Sequence, residues 1–229
     1  MISRWGTDRP LVSCLMVTQA KRWVGGVPPV GAMAFEAQSY EPRELIVVSA
    51  DPLPEMADFC AHLNDGKRRV QARFFDVTAE SGGLGGGWTL GALRNLAVEM
   101  AEGEFVATWD DDDVSAPQRL AAQVRTLLDC PLFDGCVLGR VMIDDVQGGA
   151  QPLTSPFYEW PMTMLARRAG LPPFPPLEKS EDVAVLNQLR RVIALDRPEL
   201  FTYRINHGTN VSADAAYARG LAELLSVRS

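Results

Sequence analysis

Residues 11–18 form a nearly continuous apolar run directly behind Pro10, the pattern of a strand buried on both faces of a parallel sheet. A second run rich in β-branched residues spans 44–49, and between the two a loop through Gly25, Gly26, Pro28 and Pro29 leads into a stretch of helical character at 30–39. Together these make one βαβ unit. The alternation continues with a predicted helix at 53–63, a strand at 70–77, a helix at 89–100 and a strand at 104–109. Pro117 suits the first turn of a helix running towards residue 128, and 136–143 reads as another strand. Strands alternating with helices predict an α/β fold, a mostly parallel central sheet flanked by helices. From 147 to 179 the pattern loosens, punctuated by Pro152, Pro156, Pro161, Pro172, Pro173, Pro175 and Pro176. That composition predicts loops around a short helix at 161–168. Ser180 is placed to cap a helix over 180–190 whose first turn carries Glu181 and Asp182, and 213–225 is an amphipathic helix.

The chain has 229 residues, 47% hydrophobic and 22% charged, enough for one substantial core and read as one domain over 1–229. The net charge of -7 argues against a grip on nucleic acid, which draws its affinity from clustered Lys and Arg. Cys14, Cys60, Cys130 and Cys136 fall in no metal-binding spacing and read as buried or free thiols of a reducing compartment. Residues 1–10 carry Arg4, Asp8 and Arg9 without a signal-peptide core, and no stretch approaches the apolar length of a transmembrane segment. The expectation is a soluble, cytoplasmic protein.

Chemistry concentrates in Asp110, Asp111, Asp112 and Asp113, which follow the strand at 104–109. Carboxylates at the carboxyl end of a buried strand stand where open α/β sheets bind ligands. If extended geometry persists, Asp110 and Asp112 point to one side, Asp111 and Asp113 to the other. Two carboxylates on one side are part of a site for Mg2+ or Mn2+, which completes its coordination with water and substrate phosphates, so such a site wants a diphosphate. Four adjacent carboxylates also raise one another's pKa unless a cation lies nearby. The same spacing fits a solvated acidic loop, or Asp113 as a helix cap. The glycines at 82–87 do not satisfy the dinucleotide fingerprint and read as a flexible loop beside a nucleotide. Arg94, on the next helix, either reaches the base or phosphate or forms a surface salt bridge. Asp51 either contacts the nucleoside or is a turn aspartate before Pro52. Trp160 is either a stacking platform for a sugar acceptor or a buried anchor.

The acidic run continues through Val114, Ser115 and Ala116 to Pro117, and is preceded by Arg94-Asn95 and by Gly103-Glu104-Phe105. With 35–48 resembling a first helix and second strand, Glu181-Asp182 an ED motif and 203–210 a terminal histidine segment, the chain resembles the family 2 glycosyltransferases of the GT-A fold over about residues 11–210. The resemblance implies a single nucleotide-diphospho-sugar transferase domain. Its nucleotide-binding part covers about 10–115, its acceptor and catalytic part about 116–212, and a C-terminal helix about 213–225. It implies Asp51, Arg94, Asp110 and Asp111 on the nucleotide side, with Asp112, Asp110 and His207 around a Mn2+ or Mg2+ ion. Asp182 is the implied catalytic base of an inverting transfer, with Glu181 as the alternative holder of that role or a helper in positioning the acceptor. The donor is a nucleotide-diphosphate sugar; the acceptor, a glycan or small molecule, is not specified. One departure stands out: where the family commonly has an acidic pair after the second strand, this chain has Ser49-Ala50-Asp51. Two other readings remain, a nucleotidyltransferase, for which Gly25 and Gly26 make too sparse a signature loop, and a non-catalytic nucleotide- or metal-binding domain.

Overall fold

The computed structural model describes residues 9–23, 27–64, 66, 69–78, 87–148 and 151–205. The two apolar runs near the N-terminus become β1 (Val12–Val17) and β2 (Arg43–Ser49), paired in parallel from Val12 opposite Arg43 to Val17 opposite Val48. β3 (Val70–Asp76) extends the sheet beyond β2, while β4 (Phe105–Thr108) lies parallel to β1 on its other side. The chain therefore steps outward from β1 and then returns across it, and the order reverses at β1. A reversal of this kind opens a crevice at the carboxyl ends of the strands. The crossovers are α1 (Val30–Glu36), α2 (Pro54–Leu63) and α3 (Leu90–Met100). Thr89 caps α3, its hydroxyl accepting from the Ala92 amide at 3.2 Å, the bond an N-cap threonine supplies.

Both faces of the sheet are covered, which is why β1 and β2 show no polar alternation. Cys14 and Met16 pack with Phe35, Leu45, Val47 and Trp109 on one face, Leu15 with Ile46, Val48, Leu93 and Val106 on the other. Each such side chain contributes roughly 1.5–3 kcal/mol by leaving water. Burial pushes the Cys14, Cys60 and Cys136 thiols up to about 12, so they act as small apolar side chains. None of the described cysteines is in a disulfide. Among the described residues, no helix is long and apolar enough to cross a membrane.

Beyond the acidic run come the short β5 (Val114–Ser115), α4 (Arg119–Asp129), β6 (Gly135–Leu138), β7 (Met142–Asp145) and β8 (Leu153–Thr154). They are followed by β9 (Trp160–Arg167), α5 (Glu181–Leu186), β10 (Val192–Leu195) and β11 (Phe201–Ile205). The larger sheet has the order β10-β6-β9-β4-β1-β2-β3, in which β9 alone runs antiparallel, and a smaller sheet has the order β5-β11-β7-β8.

Four expectations are corrected. Residues 161–168, expected as a helix, belong to β9, because β4 and β6 on either side claim the backbone; Pro161 is accommodated next to the strand's first residue, where its pairing with β6 is irregular. The single strand expected at 136–143 is two strands in different sheets, broken at Gly139, where a Cβ would run into the Phe157 ring. The helix expected at 180–190 is the shorter α5, and Ser180, at φ 60°, makes no side-chain cap. Pro117 lies ahead of α4 rather than in its first turn. The strands β10 and β11 were not foreseen. His207, residues 82–86 of the glycine-rich loop and the helix expected at 213–225 lie outside the described residues.

Candidate active site

The end of β4 is held from several directions. The Trp109 amide donates to Leu15 O at 3.1 Å, the Trp109 indole donates to Gly31 O at 2.8 Å, and the Gly31 amide donates to Asp111 O at 2.9 Å. A Cβ at Gly31 would collide with the Asp110 carbonyl, so only glycine lets α1 come this close to the acidic run. Behind Trp109, buried Arg119 lies against the Trp109 and Phe201 rings, with its carbon 4.9 and 5.1 Å from their centroids. It donates to Thr108 O at 3.1 Å and to Ser115 Oγ at 2.8 Å. Burial lowers its pKa to about 10, against the pull of nearby acidic groups.

From this clamp the four aspartates alternate in burial, although the backbone bends at 111–113 and does not stay extended. Asp111 and Asp113 are 4% and 3% exposed, Asp110 and Asp112 half-buried. Asp111 accepts the Thr18 hydroxyl at 2.6 Å and Asp113 accepts the Arg204 amide at 2.9 Å. Burial, and after it the charge of Asp112, raises Asp111 to about 7 despite Arg22 and the Thr18 bond, and raises Asp113 well above the carboxylate range. Asp112 meets Arg22 Nη1 at 2.9 Å, and Arg22 Nε stands 3.5 Å from Asp111. Asp110 accepts from Arg94 Nη2 at 2.7 Å.

Arg94 connects this run to α5. Its Nε donates to Glu181 Oε1 at 2.7 Å, so one buried guanidinium joins a carboxylate after β4 to a carboxylate at the start of α5. Burial alone would lower its pKa, but Asp110, Glu181 and Asp182 outweigh burial and raise it. Arg94 is thus neither a surface salt bridge nor solvent-exposed. Asp182 accepts from the Val183 amide at 2.8 Å. Burial, then neighbouring Glu181, raises Asp182 to about 6, opposed by Arg94. The two acids of the pair therefore differ: Glu181 is committed to a cation, whereas Asp182 is poised to gain or lose a proton near neutral pH.

One cleft brings these groups together, lined by Asp110 to Asp113, Arg94, Glu181 and Asp182 and also by Arg22, Glu178, Lys179, Ser180, Met162 and Tyr203. Asp51 is not among its lining residues; it follows β2 and accepts the Ala20 amide at 3.2 Å. Trp160 is buried edge-on to Tyr158, which makes it an anchor within β9. Arg22 and Lys179 escaped the sequence reading. The available signal was only that each lies near a strand end or loop on the crevice side, which many basic residues do. Among the described residues, no three His, Cys, Asp or Glu side chains converge into a metal-binding group.

Residues 83–176 match the family model described as glycosyl transferase family 2. No curated protein matches the chain in sequence. Among solved structures, S. aureus TarS 1-349 in complex with UDP-GlcNAc is similar with a TM-score of 0.58 at 18% identity, over 88% of this chain and 60% of that one. The mannosyltransferase PcManGT from Pyrobaculum calidifontis, in complex with GDP-Man and Mn2+, matches with a TM-score of 0.55 at 15% identity, over 97% of this chain and 66% of that one. Mannosyl-3-phosphoglycerate synthase from Rubrobacter xylanophilus matches with a TM-score of 0.55 at 16% identity, over 94% and 74%. The chain spans about three fifths of the TarS fragment. At these identities the shared property is the fold, and it is the GT-A glycosyltransferase fold that the motifs implied.

Proposed function

We propose that this chain transfers a sugar from a nucleotide-diphosphate donor to an acceptor hydroxyl, with Asp182 as the base of an inverting displacement. The observation that carries the reading is the pairing, within one cleft, of the acidic run after β4 with an aspartate whose pKa is raised to about 6. A general base works best with a pKa near the operating pH. Asp182 would take the proton from the acceptor hydroxyl as that oxygen attacks the anomeric carbon, on the side opposite the departing diphosphate. Glu181, fixed to Arg94, would keep α5 in register with Asp110 while this happens.

The residues present fit a divalent cation. The cleft lining holds seven acidic side chains against three cationic ones, Arg22, Arg94 and Lys179, so a diphosphate entering alone would meet net repulsion. Asp112 and Asp110, the two half-buried members of the run, offer hard oxygens, the partial set that Mg2+ or Mn2+ accepts when phosphates complete the shell. Asp112 and Asp110 would hold the ion, with His207 as a further ligand. When bound, the ion supplies charge neutralisation of the leaving diphosphate. Arg94 and Asp111 would act on the nucleotide side by holding the run in place, and Asp51 at the exit of β2 remains the acid available to the nucleoside. The pairing of TarS with UDP-GlcNAc and of the mannosyltransferase with GDP-Man and Mn2+ supports UDP and GDP as first probes. The test is calorimetry with each nucleotide, with and without Mn2+. Manganese-dependent affinity for one of them is expected, and its absence for every nucleoside diphosphate would overturn the reading.

A further inference from the structure

Arg22 ends the 3-10 helix Ala20–Arg22 that follows β1, and its side chain is 9% exposed. The segment is tied down locally, with the Arg22 amide donating to Gln19 O at 2.9 Å and the Ala20 amide to Asp51 Oδ2 at 3.2 Å. Thr18, at the head of the same connection, holds Asp111 at 2.6 Å. From this segment the guanidinium reaches Asp112 at 2.9 Å and Asp111 at 3.5 Å.

We propose that Arg22 is a built-in counter-ion that holds Asp112 while the cleft is free of ligand and passes to the donor's diphosphate when a divalent cation takes its place. The inference rests on the donor reading above. A guanidinium and a divalent cation on one carboxylate repel each other across a few ångströms, so arrival of the cation weakens the Arg22–Asp112 pair. The diphosphate that follows brings negative charge into a cleft with three cationic side chains. Of these, Arg94 is already fixed by two carboxylates at 2.7 Å each. Arg22 carries the planar fork that matches phosphate oxygens, and it stands beside the very carboxylate the cation would occupy. Arg22 therefore competes with the cation when nucleotide is absent and assists nucleotide binding when the cation is present.

Those opposite signs define the test. Mn2+ binding is measured by calorimetry on wild type, Arg22→Met and Arg22→Lys, first alone and then with UDP or GDP at saturating Mn2+. Arg22→Met should bind Mn2+ alone about tenfold more tightly, because one repelling charge beside a divalent ion is gone. It should bind the nucleotide about tenfold more weakly, the loss of one charge-assisted contact; Arg22→Lys should fall between on both. Melting temperature reports whether the variants fold. Unchanged or weaker Mn2+ binding by folded Arg22→Met overturns the proposal, as does loss of both affinities together, the mark of a purely structural role. If wild type itself shows no manganese-dependent nucleotide affinity, the donor reading fails and the handover to diphosphate fails with it. Wild-type affinity with an unaltered Arg22→Met removes Arg22 alone.

Discussion

Arg94 Nε and Glu181 Oε1 stand 2.7 Å apart, with side chains only 4% and 2% exposed, and this pair joins α3 to α5 across the cleft. Removing one partner of a buried pair leaves the other charge stranded at a cost of about 3–5 kcal/mol. Arg94→Met should therefore destabilise the fold by about that amount in denaturant titrations. Combined with Glu181→Gln it should cost less than the two single changes added together. Additive single effects would mean the pair contributes nothing of its own.

Asp182→Asn separates chemistry from binding. Transfer should fall by about two to four orders of magnitude with nucleotide affinity little changed, the usual consequence of losing a positioned base. In the wild type, turnover should rise with pH through about 6 as Asp182 loses its proton; the residual rate of the variant should lack that step. Stability runs the other way. The folded protein raises Asp182 from 3.8 to about 6, so its contribution is fully present below the unfolded value and is lost as pH rises through 6. At pH 8 the asparagine variant should then melt higher than wild type, by about 2–4 °C for each kcal/mol recovered. A lower melting point with intact turnover would make Asp182 a helix-terminus charge only.

Asp112→Ala should abolish manganese-dependent nucleotide affinity while leaving the fold intact. Asp112 is the strongest neighbouring charge raising both Asp111 and Asp113, so its loss also relieves repulsion. His207→Ala should weaken Mn2+ binding in the presence of nucleotide less than Asp112→Ala does, since carboxylate and phosphate oxygens remain. Unchanged affinity in the Asp112 variant, measured by calorimetry, would move the cation elsewhere.

Gly31→Ala tests the support behind the run. The added methyl would meet the Asp110 carbonyl and the Asp111 backbone, forcing α1 and the acidic run apart at a cost of about 1–3 kcal/mol. Nucleotide affinity should drop along with stability. If affinity is kept while stability falls, the position of the run is not set by α1.

The parallel half of the fold was legible because runs such as 11–18 and 44–49 are apolar on both faces, and few environments other than a central strand use such a sequence. Residues 161–168 were not legible for the opposite reason. Met162, Met164, Leu165 and Ala166 favour helices intrinsically, and what makes them a strand is the presence of β4 and β6 on either side, which only tertiary structure supplies. At the site, the four aspartates and the Glu181-Asp182 pair could be seen as clusters. The resemblance implied Asp182 as the base, but that Glu181 is the member bound to Arg94 could not be seen, because the two lie 87 positions apart. Arg22 was invisible on the same ground: nothing local to it announces Asp112.

The reversal of strand order at β1 has a consequence for how such a protein changes over time. The crevice exists because the chain leaves β1 in two directions, so its place in the fold is set by the strand order and not by most of the side chains that line it. Much of the lining, Arg22, Asp110 to Asp113 and Glu178 to Ser180, comes from connections between strands and helices, positions where replacements leave the sheet's pairing untouched. On the proposed function, donor and acceptor preference can drift, or be re-engineered by exchanging the connection around Arg22 and the residues before α5, while the sheet is inherited whole.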